Sequence, residues 1–326
     1  MIENILLSFL TMVLGVGALV ASAQYVVKKL VGLAHHYGVS DTFVGVTVLA
    51  FGTSLPEIGS HLVASVGILT GDLNYKIASS AVLGANIGSD VVQQTFVLGL
   101  VIFFVGTLTF SKKFLRRSYS LMIGTTLMTL LLGWDGTISR IDGLILFGTF
   151  VCYMFYLNRK EKRKLPKTDP LKRKPVYEIL LTTGGLIVLL ASSVIVLNFT
   201  ESIVYETGIA GSLIGVFTLG IASALPEFLT AVMSVRKGAK GIAVGTLIGS
   251  NITNPLVAIG LGGMISEYYV PKPLLLWDLP METITAALLL VWLLKHNRKL
   301  GRGGAIYLIC LYFAYAFIRI VYFTVD

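Results

Sequence analysis

Two short segments of the chain carry almost the same residues, and each places a glutamate inside a long apolar run. The first segment reads Ala50-Phe-Gly-Thr-Ser-Leu-Pro-Glu57, and the second reads Gly220-Ile-Ala-Ser-Ala-Leu-Pro-Glu227. An isolated charge in hydrocarbon costs a few kcal/mol or more, so two glutamates at matched positions predict a function. No Lys or Arg lies at that depth in a predicted span, and a structural ion pair is therefore not expected.

A proline precedes each glutamate and predicts a break in its helix. Proline lacks a backbone N–H and clashes with the preceding turn, so carbonyl groups just upstream are expected to become available as ligands. Non-helical backbone at membrane depth is tolerated only where it faces protein or a water-lined cavity. These carbonyls are predicted near Ala50, Thr53, Gly220 and Ser223.

Each glutamate is followed by a Gly-x-x-Ile-Gly-Ser segment, at residues 84–89 and 245–250, which we interpret as a turn between closely packed helices. Hydroxyl groups are available at Thr53, Ser54, Ser89, Ser223 and Ser250. One helical turn beyond each motif serine come Gln93 and Asn254, which could bind a cation or hydrogen-bond between helices. The candidate ligands are all oxygen atoms, which predicts a hard cation such as Ca²⁺, Na⁺ or Mg²⁺.

The composition is that of an integral membrane protein. Hydrophobic residues make up 55% of the chain and charged residues 13%, against about 25% charged in an ordinary soluble protein. Ten apolar runs are long enough to cross a bilayer. Their approximate limits are 5–27, 41–69, 77–107, 117–133, 138–157, 177–198, 208–235, 242–266, 278–295 and 303–323. The sequence thus predicts an all-α fold of ten transmembrane helices.

Basic residues alternate between the predicted connections and indicate the orientation. Of the 26 Lys and Arg residues, 22 fall in alternate connections or their flanks, whereas the other face carries Lys76, Arg140 and Lys272. The positive-inside rule then predicts that both termini are extracytoplasmic, in a multi-pass protein of the cell (plasma) membrane. The net charge of +9 is explained by this orientation signal, and no nucleic-acid partner is expected.

The two halves of the chain are predicted to be an inverted-topology repeat. Five spans precede the basic segment 158–176 and five follow it, so the second half enters the membrane in the opposite orientation. We therefore predict a first repeat at 1–157, a cytoplasmic linker at 158–176 and a second repeat at 177–326. Discontinuous helices in corresponding positions of two such halves are typical of transporter binding sites at the midplane.

On these residues the chain resembles the cation/calcium exchanger superfamily, and in particular its prokaryotic sodium/calcium exchangers. The similarity is carried by residues 52–57 with 84–89 and by residues 222–227 with 245–250, and it covers essentially the whole chain. It implies that Glu57 and Glu227 bind Ca²⁺ with the carbonyls of Thr53 and Ser223. It also implies sodium sites that draw on Ala50, Ser54, Ser89, Gly220 and Ser250.

The chain departs from that family at several positions. Ala224 stands where a serine is usual, Ser223 replaces a threonine, and Gln93 and Asn254 stand where the family often has Asn or Asp. His61, one turn beyond Glu57, and Asp90, next to Ser89, are a possible proton pathway. The alternatives are a polar residue near the outer mouth for His61 and a helix contact for Asp90. Glu282 is expected to be interfacial.

The leading hypothesis is a secondary antiporter that exports Ca²⁺ in exchange for Na⁺ by alternating access at one midplane site. The alternatives are a Ca²⁺/H⁺ exchanger and a cation channel. We expect no enzymatic activity, since no metalloprotease, nucleophile or redox motif occurs, and no cofactor besides the transported Ca²⁺ and Na⁺ or H⁺. The expected partners are inorganic cations and membrane lipid, and the protein is expected to function as a monomer.

Overall fold

A computed structural model describes residues 2–36, 50–160, 175–236 and 240–326, and these residues are mostly helical. The described helices of the first half are α1 (Ile2–His36), α2 (Ala50–Thr53), α3 (Leu55–Thr70), α4 (Tyr75–Val105), α5 (112–132) and α6 (Arg140–Lys160). Those of the second half are α7 (Pro175–Thr207), α8 (211–223), α9 (Leu225–Arg236), α10 (240–265), α11 (Leu274–Lys295) and α12 (Arg302–Tyr322). The first part of the predicted span 41–69 and most of the predicted linker 158–176 lie outside the described residues.

Seven helical segments of the described part of the chain are long and apolar enough to cross a membrane. They are Leu7–Leu30, Tyr75–Val105, Pro175–Thr207, Gly211–Arg236, Ala243–Ile265, Leu274–Lys295 and Arg302–Tyr322, and each overlaps a span predicted from the sequence. The predicted spans 117–133 and 138–157 coincide with α5 and α6, which are not among the seven. The prediction of a helical, multi-pass membrane protein is confirmed, and the number ten stays a prediction.

The pattern of burial is that of a protein whose solvent is lipid. Large apolar side chains such as Leu14, Phe104 and Phe313 are exposed, whereas polar side chains such as Ser89 and Asn254 are completely buried. Polar groups inside a membrane protein face the interior of the helix bundle, where partners are available. The polar centre of the bundle is therefore the place where the sequence motifs come together.

Helices α4 and α8 approach each other through glycines. A Cβ atom added at Gly88 would lie 2.6 Å from the Cα of Val216, and one added at Gly215 would lie 2.3 Å from the carbonyl oxygen of Ala81. Small residues therefore permit this contact, as is usual between membrane helices. The prediction of turns at 84–89 and 245–250 is wrong, because both segments lie within uninterrupted helix in α4 and α10. In lipid, an intact helix satisfies its own backbone groups, whereas a turn would leave some without partners.

A π-helical turn begins directly at each of the two amide residues of the motifs. These turns span Gln93–Val97 in α4 and Asn254–Ile259 in α10. In α10 the residue after Asn254 is Pro255, which removes one backbone donor. Single π-helical turns within α-helices occur frequently at functional sites, and their presence at matched positions marks this part of the bundle.

Two short antiparallel ribbons join the halves of the chain. Strand β1 (Thr107–Thr109) pairs with β4 (Lys299–Gly301), and β2 (Thr137–Ile138) pairs with β3 (Tyr268–Tyr269). One ribbon uses the connection before α5 and the other uses the connection after it. Each ribbon takes one strand from each half, so the backbone ties the halves together at both ends of α5.

Candidate ion-binding site

Each motif glutamate follows a helix break that is only one residue long. The regular helix is interrupted at Ser54 between α2 and α3, and at Ala224 between α8 and α9. The proline that follows is the second residue of the new helix, and the glutamate is the third. Glu57 and Glu227 therefore both lie in the first turn of a helix, where the N-terminal end of the helix dipole favours negative charge.

One expected carbonyl ligand is already engaged in hydrogen bonds. The carbonyl oxygen of Gly220 accepts from the backbone N–H of Ala224 at 3.2 Å and from the Ser223 hydroxyl at 3.2 Å. The prediction that the break frees this carbonyl is therefore wrong in this conformation, because a one-residue break preserves the bond from Ala224. Ala50, the matching residue of the first motif, is the first residue of α2.

Hydroxyl groups surround both carboxylates. Ser89 donates to Oε1 of Glu57 at 2.9 Å, and Ser250 donates to Oε1 of Glu227 at 3.2 Å. The Thr53 hydroxyl of the first motif lies 3.2 Å from the Ser250 hydroxyl of the second. Thr53 also interacts with Glu227, and Ser223 with Glu57, so each glutamate has hydroxyl partners from both halves of the chain.

Several buried oxygen atoms of this cluster have no hydrogen-bond donor among the residues that the structure describes. They are the second carboxylate oxygens of both glutamates, the Ser54 hydroxyl oxygen, and the amide oxygens of Gln93 and Asn254. Buried acceptors without a donor cost about 1–3 kcal/mol each, and charged ones cost more, so such a set requires an explanation. A hard cation, which prefers carboxylate, amide and hydroxyl oxygens, fits this donor set.

The amide side chains link the glutamates to a wider polar network. Gln93 donates through Nε2 to the Ser89 hydroxyl at 2.9 Å, so its amide lies within the Glu57 cluster. Asn254 donates through Nδ2 to Oδ1 of Asp90 at 2.7 Å. Asp90 is buried, and its backbone carbonyl accepts from Asn251 at 3.1 Å. Gln93 thus makes a hydrogen bond within α4, and Asn254 makes one between α10 and α4. In each amide the oxygen has no donor among the described residues.

Asp90 and His61, the two residues of the possible proton pathway, are both buried in the helix bundle. Asp90 makes the helix contact that was one of its two predicted roles. His61 is 1% exposed and lines a cavity, and its place relative to an outer mouth stays a prediction. Its Nδ1 lies 3.1 Å from the Tyr268 hydroxyl, and its Nε2 lies 3.4 Å from the Asn86 amide nitrogen. Both ring nitrogens therefore have a polar neighbour, and which of them donates depends on the tautomer of the imidazole.

Two cavities are lined by different residues of this cluster. One is lined by Glu57, Ser60, His61 and Ser223, together with apolar residues of α1, α4 and α8. The other is lined by Lys28, Gln24, Thr53 and Thr230, among others. Its volume of about 380 Å³ is much larger than the 20 Å³ of the first. Residues of the same motif therefore face two separate cavities.

Glu282 was expected at the membrane interface, and this expectation is wrong. Its side chain is 3% exposed, and Oε1 accepts from Gln94 at 3.0 Å and from Thr126 at 2.7 Å. Residues of α4 and α5 supply these donors. No local feature of α11 indicates such partners, so its position in the sequence near the end of an apolar run was misleading.

A buried ion pair between α11 and α12 was not predicted either. Arg319 Nε lies 2.9 Å from Asp278 Oδ2, and both side chains are completely buried. The Tyr315 hydroxyl donates to Oδ1 of the same carboxylate at 2.5 Å, and Arg319 Nη2 lies 2.6 Å from the Ser212 hydroxyl of α8. The useful signal was a single arginine near the end of the apolar run 303–323 and an aspartate at the start of the run 278–295, since charges inside a membrane pair.

The candidate ligands of this cluster are two carboxylates and neutral hydroxyl and amide groups. Within residues 2–36, 50–160, 175–236 and 240–326, no group of three or more His, Cys, Asp and Glu side chains is placed to hold a metal ion. The cluster is thus poor in charge and rich in hydroxyl and amide oxygens. Such a site differs from the closed thiolate and imidazole sites that hold zinc.

Comparison with known proteins places this arrangement in a family. Inner membrane protein YrbG of Escherichia coli (strain K12) is 28% identical over 314 residues, which cover 93% of this chain and 94% of the relative. Solved structures of the sodium-calcium exchanger NCX_Mj share the fold, with a TM-score of 0.64, 23% identity and coverage of 98% of this chain and 99% of that one. The H⁺/Ca²⁺ exchanger CAX shares it with a TM-score of 0.77 and 14% identity, covering 97% of this chain and 82% of that chain.

The sequence pattern of one family extends over both halves of the chain. The pattern of the sodium/calcium exchanger proteins matches residues 7–158 and 177–321, which include both glutamate motifs. The match, the shared fold and the apolar helices agree with a membrane transporter and not with an enzyme. The resemblance inferred from the two motifs is confirmed, and the chain belongs to the sodium/calcium exchanger protein family.

Proposed function

We propose that this protein is a secondary antiporter that exports Ca²⁺ in exchange for Na⁺ at one site formed around Glu57 and Glu227. The observation that carries the proposal is the set of buried oxygens without donors, which includes one carboxylate oxygen of each glutamate. These acceptors belong to two motifs whose hydroxyls contact each other. A cation bound between them would satisfy both motifs at once.

The charge of the pair explains why exchange would be obligatory. Two ionised glutamates are neutralised by one Ca²⁺ or by monovalent cations in its place. An empty pair would remain as buried charge, which is costly in the interior of a membrane protein. Movement of the empty carrier is therefore penalised, and one ion must replace the other before the site can change sides.

The proposed ligands follow from the motifs. Calcium would be bound by the carboxylates of Glu57 and Glu227 with the carbonyls of Thr53 and Ser223. Sodium and the wider site would use Ala50, Ser54, Ser89, Gln93, Gly220, Ser250 and Asn254. The bonds that already occupy the Gly220 carbonyl would have to break, so Gly220 would contribute only in another conformation. The two cavities support alternating access, since each contacts different members of the same cluster.

We further propose the topology that the charge pattern predicts. Ten spans would form two inverted repeats at 1–157 and 177–326, joined by a cytoplasmic linker at 158–176, with both termini outside the cell. The pairing of the strands supports this symmetry. Strand β1, before α5, pairs with β4, after α11, and strand β3, before α11, pairs with β2, after α5. The protein would act as a monomer in the plasma membrane.

Transport in proteoliposomes tests this function. Calcium uptake is measured with a sodium gradient alone, a pH gradient alone, both, and neither. We expect uptake that requires an opposing sodium gradient and that is lost in the Glu57→Gln and Glu227→Gln variants. The control variant is Glu206→Gln, because Glu206 is an exposed acid. Calcium flux that ignores both gradients would exclude exchange, and unitary currents would indicate a channel.

Exchange of Ca²⁺ for H⁺ is the second candidate. It is favoured by Ala224, which lacks the hydroxyl that Ser54 supplies in the first motif, and by the buried residues Asp90 and His61. These two side chains would provide the proton pathway. Sodium-free calcium uptake driven by a pH step would select this candidate. Retention of Ser54, Ser89 and Ser250 favours sodium.

A further inference from the structure

Glu282 is a buried acid that the proposed ion site does not use. Its carboxylate accepts two hydrogen bonds on one oxygen, from Gln94 of α4 and Thr126 of α5. It forms no ion pair with any residue that the structure describes. An uncompensated charge at this depth is unfavourable, so a bound positive species would stabilise Glu282.

The amide of Gln94 indicates which species this is. Its nitrogen donates to Oε1 of Glu282 at 3.0 Å, whereas its own oxygen is buried and has no donor among the described residues. Gln94 is 3% exposed. A carboxylic acid and a primary amide can form two parallel hydrogen bonds, in which the amide N–H donates to the acid carbonyl and the acid O–H donates to the amide oxygen. The first of these bonds is present, and a proton on Oε2 of Glu282 would supply the second.

The neighbouring charges also favour a neutral acid at this position. Asp90 of α4 acts on Glu282 as a like charge, and so does Asp278, one turn earlier on α11. Asp278 is compensated by Arg319 of α12, and α5 contributes only the neutral Thr126 to this contact. Among the described residues, the charged groups that act on Glu282 are thus carboxylates, and a proton removes the repulsion between them.

We propose that Glu282 is a proton-binding site of this exchanger, with the Gln94 amide oxygen as the acceptor of that proton. The role in transport rests on the proposed function. Asp90 holds the amide of Asn254, a candidate ion ligand, at 2.7 Å. A proton on Glu282 lowers the repulsion on Asp90, and the external pH would thereby act on the ion site through Asp90 and Asn254.

Infrared difference spectroscopy of the purified full-length protein tests proton binding without any transport. A pH step should produce the C=O stretching band of a protonated buried carboxyl group in wild type. Glu282→Gln should remove this band. Gln94→Leu should move it to higher frequency, because the carbonyl loses a donor. If the band is absent in wild type, or persists unchanged in Glu282→Gln, the proposal is overturned.

Transport then tests the consequence. Titration of one group changes the ratio of its two forms about ten-fold per pH unit, and wild-type calcium exchange should show one such step that Glu282→Gln lacks. Thr126→Val is the structural control, since it removes a donor and leaves the acid, and it should retain the step. If exchange occurs in wild type but its pH profile is identical in Glu282→Gln, this inference fails and the proposed antiport stands. If no exchange occurs at all, the proposed function fails while the infrared result still decides proton binding.

Discussion

At the scale of single residues, the two motif glutamates combine a functional benefit with a structural cost. Each has one carboxylate oxygen bonded to a serine and one without a donor. Without a cation this arrangement is unfavourable, because a buried charged acceptor lacks compensation. The empty protein should therefore be less stable than one in which the charges are removed.

The first prediction concerns Glu57→Gln and Glu227→Gln. In the absence of calcium and sodium, each variant should raise the free energy of unfolding by about 1–3 kcal/mol, the usual cost of a buried unsatisfied group. Wild type should gain about 2.7 kcal/mol at a calcium concentration 100 times its dissociation constant, whereas the variants should gain almost nothing. Thermal unfolding in detergent, with and without calcium, measures both effects.

Transport by these variants should fall by about 100-fold or more, since even the indirect partners of bound metals contribute about 10–100-fold to affinity. The exposed control Glu206→Gln should change neither stability nor transport. Stabilisation by calcium that survives in both glutamine variants would contradict a shared site.

The second prediction concerns the one hydroxyl that the second motif lacks. Ser54 has a buried hydroxyl oxygen without a partner, and the matched residue Ala224 is 1% exposed. Ala224→Ser should add a ligand for sodium. One such interaction is worth about 1 kcal/mol, or about five-fold in affinity. The sodium concentration that gives half-maximal exchange should fall accordingly, and Ser54→Ala should raise it.

Calcium uptake measured against a series of sodium concentrations tests this pair of substitutions. Opposite shifts are expected because one variant adds and the other removes the same group. If the sodium dependence is unchanged in both variants, these hydroxyls do not bind sodium. Exchange of Ca²⁺ for H⁺ would then be favoured.

At the scale of elements, the first glycine of the repeated segment packs differently in the two motifs. Gly84 lies in the contact between α4 and α8, whereas Gly245 lies in α10. A Cβ atom at Gly84 would lie 2.6 Å from the carbonyl oxygen of Ser212, whereas no atom of the described residues lies within 4 Å of a Cβ atom at Gly245. The two glycines occupy matched positions of the repeated motif. Their roles therefore differ although their sequences agree.

The third prediction follows from this asymmetry. Gly84→Ala should lower the free energy of unfolding by about 1–3 kcal/mol, because backbone atoms oppose the added methyl group. Gly245→Ala, the matched control, should be neutral or raise it by up to about 1 kcal/mol, since alanine favours a helix more than glycine does. Thermal unfolding of the two variants decides the question, and equal losses would contradict the different packing.

The fourth prediction concerns the ion pair that joins α11 to α12. Arg319→Gln leaves Asp278 buried without its partner and should lower the free energy of unfolding by about 3–5 kcal/mol. The double variant Asp278→Asn with Arg319→Gln should lose less than Arg319→Gln alone, because no charge then remains buried. A double-mutant cycle of unfolding measures the coupling. Additive losses would show that the two side chains act independently.

At the scale of the whole molecule, the repeated motifs could be predicted from the sequence. The contacts of residues whose partners lie on distant elements could not. The motif repeat predicts that Glu57 and Glu227 share a site, and the contact between the Thr53 and Ser250 hydroxyls of the two motifs supports this prediction. Glu282 was assigned to the interface because its donors, Gln94 and Thr126, lie far away in the sequence. The glycine segments are helical and not turns, and composition alone does not distinguish a turn from a helix that packs closely.

The last prediction is the orientation of α11, on which the proposed topology depends. A helix of this length spans about 30 Å, the thickness of the hydrocarbon core, so the residues on either side of it must face opposite compartments. Lys272 precedes α11 and Lys299 follows it, and both side chains are exposed. The charge pattern predicts that Lys272 is outside the cell and Lys299 is inside.

Labelling of single cysteines tests this orientation in intact cells. Cys152 and Cys310, which are both exposed, are first replaced by alanine, and Lys272→Cys and Lys299→Cys are then made separately. A thiol reagent that cannot cross membranes should label Lys272→Cys from outside and should label Lys299→Cys only after permeabilisation. The reverse pattern would invert the proposed orientation, while the ion gradients would still set the direction of calcium transport. Labelling of both from outside would mean that α11 does not cross, and the inverted repeat would then be wrong.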